Sequence, residues 1–167
     1  MRTFKAPWAI SLKLITLLVS LLLIAIPIVG VLKGIASDSL AHFAIAFVPL
    51  VILIGAALFT VFSYEIHNNQ LWIRRLLWHT KLDLSDLNEA FADPNIMKSS
   101  WRIFGNGGLF SFTGTFKNKK LGFYRAYATN PKTAVVLKFG SEKTVVVTPD
   151  QPQSMVNALN TISKNFT

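Results

Sequence analysis

The sequence predicts a mainly β domain of about seven strands, a barrel or sandwich closed by a C-terminal α-helix, preceded by a two-helix transmembrane hairpin. Two apolar runs without an ionisable side chain lie within the first 62 residues. Short β-prone segments separated by turn-forming residues follow, and apolar residues at helical spacing end the chain.

Composition frames this reading. The chain has 167 residues, of which 51% are apolar and only 15% charged, with a mean hydropathy of +0.44. A soluble domain carries about a quarter charged residues, so a membrane part is expected. The absence of cysteine excludes a disulfide framework, thiolate zinc sites, iron–sulfur ligation and cysteine nucleophiles.

The first span runs over 14–32 as LITLLVSLLLIAIPIVGVL, about 28 Å of helix and close to the hydrocarbon thickness of a bilayer. The second runs over 43–62 as FAIAFVPLVILIGAALFTVF. Two buried helices of a soluble protein would need a protein shell that the rest of the chain is too short to build. Pro27 and Pro49 are read as kinks that a neighbouring helix relieves. Gly30 and Gly34, with the patch Gly55-Ala56-Ala57, suit close packing within the hairpin. Lys13 is placed to snorkel to the interface. Arg2 and Lys5 ahead of the first run also suit a signal peptide, but the run exceeds an h-region of about 7 to 15 residues.

Arg2, Lys5 and Lys13 precede the spans and Arg74, Arg75 and Lys81 follow them, whereas in the connecting loop Lys33 is offset by Asp38. The positive-inside rule then places both termini in the cytoplasm and the chain in the inner membrane as a multi-pass protein. The expected division is a hairpin over 1–62 and a cytoplasmic domain over 63–167.

In that domain FSYEIH and QLWIRRLLW flank Asn68-Asn69, a hairpin turn requiring positive φ. WHTKLDL continues as a third strand, and LFSFTGTF, GFYRAYA, TAVVLKF and KTVVVT supply four more. Asp150, with Gln153 three residues on, has the spacing of a capping box. Met155, Val156, Leu159, Ile162 and Phe166 then form the stripe of a helix that plugs the β-structure.

Catalytic chemistry is not legible. His42, His67 and His79 are scattered, and no HExxH, Walker A, GxSxG or zinc spacing occurs. Asp83, Asp86, Glu89 and Asp93 lack the glycine and closing glutamate of an EF-hand and read as a solvated turn or short helix. No cofactor or metal is expected. The segment Gly105-Asn106-Gly107-Gly108 reads as a tight turn or bulge; its alternative is a ligand loop using Gly105, Gly107, Gly108 and Arg102. Lys117, Lys119, Lys120 and Arg125 form the densest basic cluster of the domain, serving either solubility or an anionic lipid surface. Without a recognition helix or aromatic RNA motif, the charge does not argue for nucleic acid. Trp72, Trp78, Trp101, Tyr64, Tyr124 and Tyr127 are read as core and interfacial residues.

The stretch from Arg102 to Asp150 resembles the membrane-anchored bacterial PH (pleckstrin-homology-like) domain family, through RIFGNGG, FTGTFKNKKLGFYRAYATN and KTVVVTPDQP. More loosely, the resemblance covers 63–167. It implies a cytoplasmic PH-like module behind a helical hairpin, mostly without an assigned ligand, and some relatives assemble into rings. The first hairpin turn, His67-Asn68-Asn69-Gln70, lacks the Lys and Arg that phosphoinositide-binding PH domains place there. The functional expectation is a non-catalytic, membrane-anchored binding module. Its partners are the bilayer and a membrane or cytoplasmic protein, or a second copy of itself; the alternative is an anionic-lipid sensor.

Overall fold

The computed structural model describes residues 1–37, 40–140 and 143–163. Strand β1 (Arg2–Lys5) comes first, then helices α1 (Ile10–Ser37) and α2 (Leu40–Leu58). Strands β2 (Ser63–His67), β3 (Gln70–Arg74), β4 (His79–Asp83), β5 (Leu87–Ala92), β6 (Trp101–Leu109), β7 (Ser111–Asn118), β8 (Gly122–Ala128), β9 (Val135–Phe139) and β10 (Lys143–Val147) follow, and α3 (Pro152–Ser163) closes the fold. The expected loop residue Asp38, the turn residues Ser141 and Glu142, and Phe166 lie outside the described residues.

Ten strands are described where about seven are expected, and the three additions have separate causes. β1 is four residues long and precedes the helices, so only a partner remote in sequence reveals it. β5 occupies the acidic segment read as a turn or short helix: Leu87 and Ala90 enter the core while Asn88 and Glu89 face water. β6 contains the glycine-rich segment read as a turn or bulge, and it does carry register shifts at Arg102/Phe104 and Gly107/Leu109. The division at residue 62 assigns β1 to the hairpin, whereas in the structure β1 pairs antiparallel with β2, from Arg2 opposite Ile66 to Lys5 opposite Ser63.

Two sheets form, one in the order β1-β2-β3-β4 and the other β5-β9-β10-β8-β7-β6. Among the described strands, only β8 and β10 run parallel. The β2–β3 turn has both asparagines at positive φ, 45° at Asn68 and 60° at Asn69, the left-handed pair that this tight turn requires. The central strands of the larger sheet are covered on both faces, which is why VVL and VVV are continuously apolar. Val135, Leu137, Val145 and Val147 pack toward the smaller sheet with Tyr64, Leu71, Ile73, Met155 and Leu159. Val136 and Val146 face a second cluster with Ile96, Phe116, Tyr124 and Ala126.

Helix α3 covers the main core through Met155, Val156, Ala158 and Leu159. It starts with Pro152, whose missing N–H costs nothing at a helix start. Asp150 is not its cap: its backbone N–H donates to Lys5 O at 2.9 Å, and its Oδ1 accepts from Lys5 N at 3.1 Å. The capping-box residue thus holds β1. The expected second span also ends early, since α2 stops at Leu58 and Val61 is buried in the main core.

Tyr64 sits fully buried between the sheets. Its hydroxyl donates to Tyr127 O at 2.6 Å and accepts from Thr148 N at 3.1 Å. Burial pushes its pKa up to about 12, opposed by the Thr148 hydrogen bonds. Unfolded tyrosine ionises near 10, so between about pH 10 and 12 the folded chain holds a proton that the unfolded chain releases. Stability is full below this window and falls as pH rises through it. Tyr64→Phe should cost about 1–2 kcal/mol at neutral pH and shrink the alkaline loss, as read by denaturant titration of the full chain.

Gly105 and Gly114 face each other across β6 and β7 with φ of 107° and 138°. A Cβ on Gly105 would overlap Thr113 O, and one on Gly114 would overlap Phe104 O. Gly122 also has positive φ, 66°, but no described residue stands within 4 Å of its Cβ position. Gly114→Ala should therefore cost at least about 2 kcal/mol and Gly122→Ala only about 1 kcal/mol in the same titration.

Candidate functional site

The larger sheet extends past the smaller one. On the face that carries Val145 and Val147, the residues of β7 and β8 run outward from the core as Thr113/Tyr127, Thr115/Arg125 and Lys117/Phe123 cross-strand pairs. Trp101 of β6 pairs with Lys117, and Phe104 with Thr115. Tyr127 and Thr113 are buried, but farther out Trp101 is 78% exposed, Phe104 79% and Phe123 57%. Lys117 Nζ lies 4.6 Å from the Phe123 ring centroid. This flank therefore interleaves uncovered aromatic rings with cations.

The feet of both helices stand at its inner end. Leu12 and Thr16 of α1 are buried, and Thr16 Oγ1 accepts from Phe110 N at 3.0 Å. Phe59 O, just past α2, accepts from Ser111 Oγ and from Arg75 Nη1, each at 3.2 Å. The Arg75 guanidinium lies over the rings of Phe59, Trp78 and Tyr127 at 5.2, 5.8 and 5.3 Å. Arg75 is only 8% exposed, and its Nε has no hydrogen-bond partner among the described residues. Desolvation by burial lowers its pKa from the usual arginine value.

The structure divides the predicted residues. Lys117 and Arg125 share the exposed flank, and Lys119 and Lys120 sit at its rim in the β7–β8 turn. That turn is held by Asn118, whose Oδ1 accepts from the amides of Lys120 and Leu121 at 3.0 and 2.8 Å. Lys120 reaches Asp93 at 3.7 Å. A groove of about 910 Å³ runs along this rim, lined by Lys98, Trp101, Ile103, Lys117, Lys119 and Lys120 among others.

Arg102 pairs with Phe116 and thus lies on the other face of β6, where its Nη1 donates to Gly105 O at 3.3 Å. Gly107 sits under the Arg102 side chain. Gly105, Gly107 and Gly108 all lie within an edge strand. Asn106 Oδ1 accepts from the amides of Gly108 and Leu109 at 3.3 and 3.0 Å, and its Nδ2 donates back to Leu109 O. A phosphate cradled by those two amides would have to displace the Asn106 side chain. Among the described residues, no three His, Cys, Asp or Glu side chains group to hold a metal.

Sequence reasoning underrated Trp101, Ile103, Phe104 and Phe123. The run Trp101-Arg102-Ile103-Phe104 does not alternate apolar with polar, and all four residues are exposed. That missing alternation was the available signal that the strand has no covered face.

Outside the sheets, residues Ile10–Ile35 are long and apolar enough to cross a membrane and are mostly exposed, while the apolar stretch Phe47–Leu58 of α2 is shorter. Leu76 and Leu77, beside Arg75, are also exposed.

No curated protein and no solved structure matches the chain. The family model for the bacterial PH domain matches residues 62–163. That stretch begins one residue before β2, ends with α3 and makes up more than half of the chain, which therefore belongs to the bacterial PH domain family.

Proposed function

We propose that the chain is a non-catalytic binding module anchored in the inner membrane by α1 and α2, with its sheet-built head on the cytoplasmic surface. PH domains generally serve as interaction modules, and the family membership supports that part of the reading. The observation that carries the anchoring is the long, mostly exposed apolar helix Ile10–Ile35, and the β1–β2 pairing constrains its topology. Because Lys5 lies opposite Ser63, the two ends of the intervening chain are on one side of any membrane. An apolar insert between them that enters the bilayer must cross it an even number of times. Two crossings fit α1 and α2, and Arg2, Lys5, Lys13, Arg74, Arg75 and Lys81 around the paired ends favour the cytoplasmic side.

Anchoring at two adjacent feet, with few residues between helix and strand, holds the head in a fixed orientation. It also raises the head's effective concentration toward membrane-bound partners. A protein partner, or a second copy, is the expected ligand. The alternative, an anionic-lipid sensor using Lys117, Lys119, Lys120 and Arg125, is favoured by the aromatic rings interleaved with them. Gly105, Gly107, Gly108 and Arg102 are the second candidate set.

A fluorescent-protein fusion after Thr167 should be bright in the cytoplasm, and a periplasmic alkaline phosphatase fused at the same point should be inactive. Since the chain lacks cysteine, a Lys5→Cys/Ser63→Cys pair should also form a crosslink in isolated membranes under oxidant. An active phosphatase after Thr167 would overturn the orientation, and absence of the crosslink would overturn the clamp.

A further inference from the structure

We infer that the overhanging flank of β6, β7 and β8 is a second membrane contact, docking onto the anionic phospholipid headgroups that surround the helical anchor. The inference rests on the anchoring proposed above and adds a chemically defined ligand to it. Three observations carry it. The first is continuity: the flank belongs to the same sheet face that receives the foot of α2 at Ser111. From there to Lys117 is about 20 Å along the strand at roughly 3.3 Å per residue. The foot of α1 meets the same hairpin end from the other side, where Ile15 stands near the Gly108 backbone and the Phe112 ring.

The second observation is the kind of exposure. Trp101, Phe104 and Phe123 stand uncovered on one sheet face, on either side of β7, and aromatic side chains with an apolar body prefer the headgroup layer. The third is charge. Lys98, Lys117, Lys119 and Lys120 line the groove at the rim of these rings, and the ion pair found there is Lys120 with Asp93 at 3.7 Å. Rings that enter the headgroup layer between cations that meet phosphates need no deep pocket, and the open groove fits that arrangement. A strand-pairing partner is less suited to this edge, because β6 breaks its register twice over nine residues.

The consequence is a two-point attachment. The helices fix where the head stands, and the flank fixes how it lies. The opposite edge of the sheet, at β5, is then turned away from the membrane toward cytoplasmic partners.

The full chain, carrying one nitroxide-labelled cysteine at a time, tests this in nanodiscs of phosphatidylcholine alone and in nanodiscs that also contain phosphatidylglycerol. Labels at Leu21→Cys, Phe123→Cys and Asn88→Cys report the helix, the flank and the far edge through collision with oxygen and with a water-soluble nickel chelate. The expected result is a Phe123→Cys label that is oxygen-accessible and nickel-protected in the anionic discs. It should become nickel-accessible in neutral discs or in about 1 M salt, where the Debye length falls to about 3 Å.

Replacing Lys117, Lys119 and Lys120 by Glu should lower the docked population on the order of a hundredfold, at about fivefold or more per lost cation. The Asn88→Cys label should not change. A lipid-buried Leu21→Cys label with a Phe123→Cys label open to nickel in every disc would overturn the docking and leave the anchor standing. A Leu21→Cys label open to nickel would overturn the anchor, and the Phe123→Cys label would still judge the flank. A Phe123→Cys label shielded from both reagents regardless of lipid charge would identify a protein contact there and overturn the lipid assignment.

Discussion

Four residue pairs between β1 and β2 govern the organisation of this chain. The ladder continues as Ala6 N–H donates to Phe62 O at 2.9 Å and Phe62 N–H to Arg74 O at 3.0 Å. The linker after β1 is then pinned by Thr129, whose hydroxyl donates to Pro7 O and whose carbonyl accepts from Ala9 N. Both legs of the helical pair are therefore hydrogen-bonded to the head up to the last few residues before the helices begin. Closing such a loop of roughly fifty residues costs entropy that grows only slowly with length. Packing of α1 against α2 offsets part of that cost.

Arg75 joins this ladder to the helix foot. A guanidinium removed from water loses several kcal/mol of hydration, and here its compensation is the Phe59 carbonyl and three ring faces rather than a carboxylate. Positive charge at the C-terminal end of α2 also complements the partial negative charge of the helix carbonyls. Arg74, its neighbour in sequence, has a conventional partner in Glu65 at 2.9 Å. Two adjacent arginines thus serve the outer surface of the small sheet and the sheet–helix junction.

Much of the architecture was legible from local patterns. Seven strands, the Asn68-Asn69 turn, the apolar stripe of α3 and the first apolar helix all announce themselves through periodicity or turn chemistry within a dozen residues. What escaped was set by distant partners. β1 is defined by β2, β5 by β9, and β6 by the paired glycines Gly105 and Gly114. Asp150 illustrates the same limit, because its spacing to Gln153 fits a cap while its hydrogen bonds go to Lys5, 145 positions away. At the candidate site, the basic residues could be read from the sequence, but not their division between faces. Only the strand register places Lys117 and Arg125 together and Arg102 behind them.

The order of the elements along the chain imposes an order of assembly. β1 is synthesised before α1 and α2, yet its partner β2 is synthesised after both. The edge of the small sheet cannot close until the two apolar helices have left the ribosome. The two helices can therefore pair with each other before the head is complete, and its completion locks their ends afterwards. Until then Arg2–Lys5 waits as an unpaired strand, and whatever is attached ahead of it must leave room for β2 to arrive.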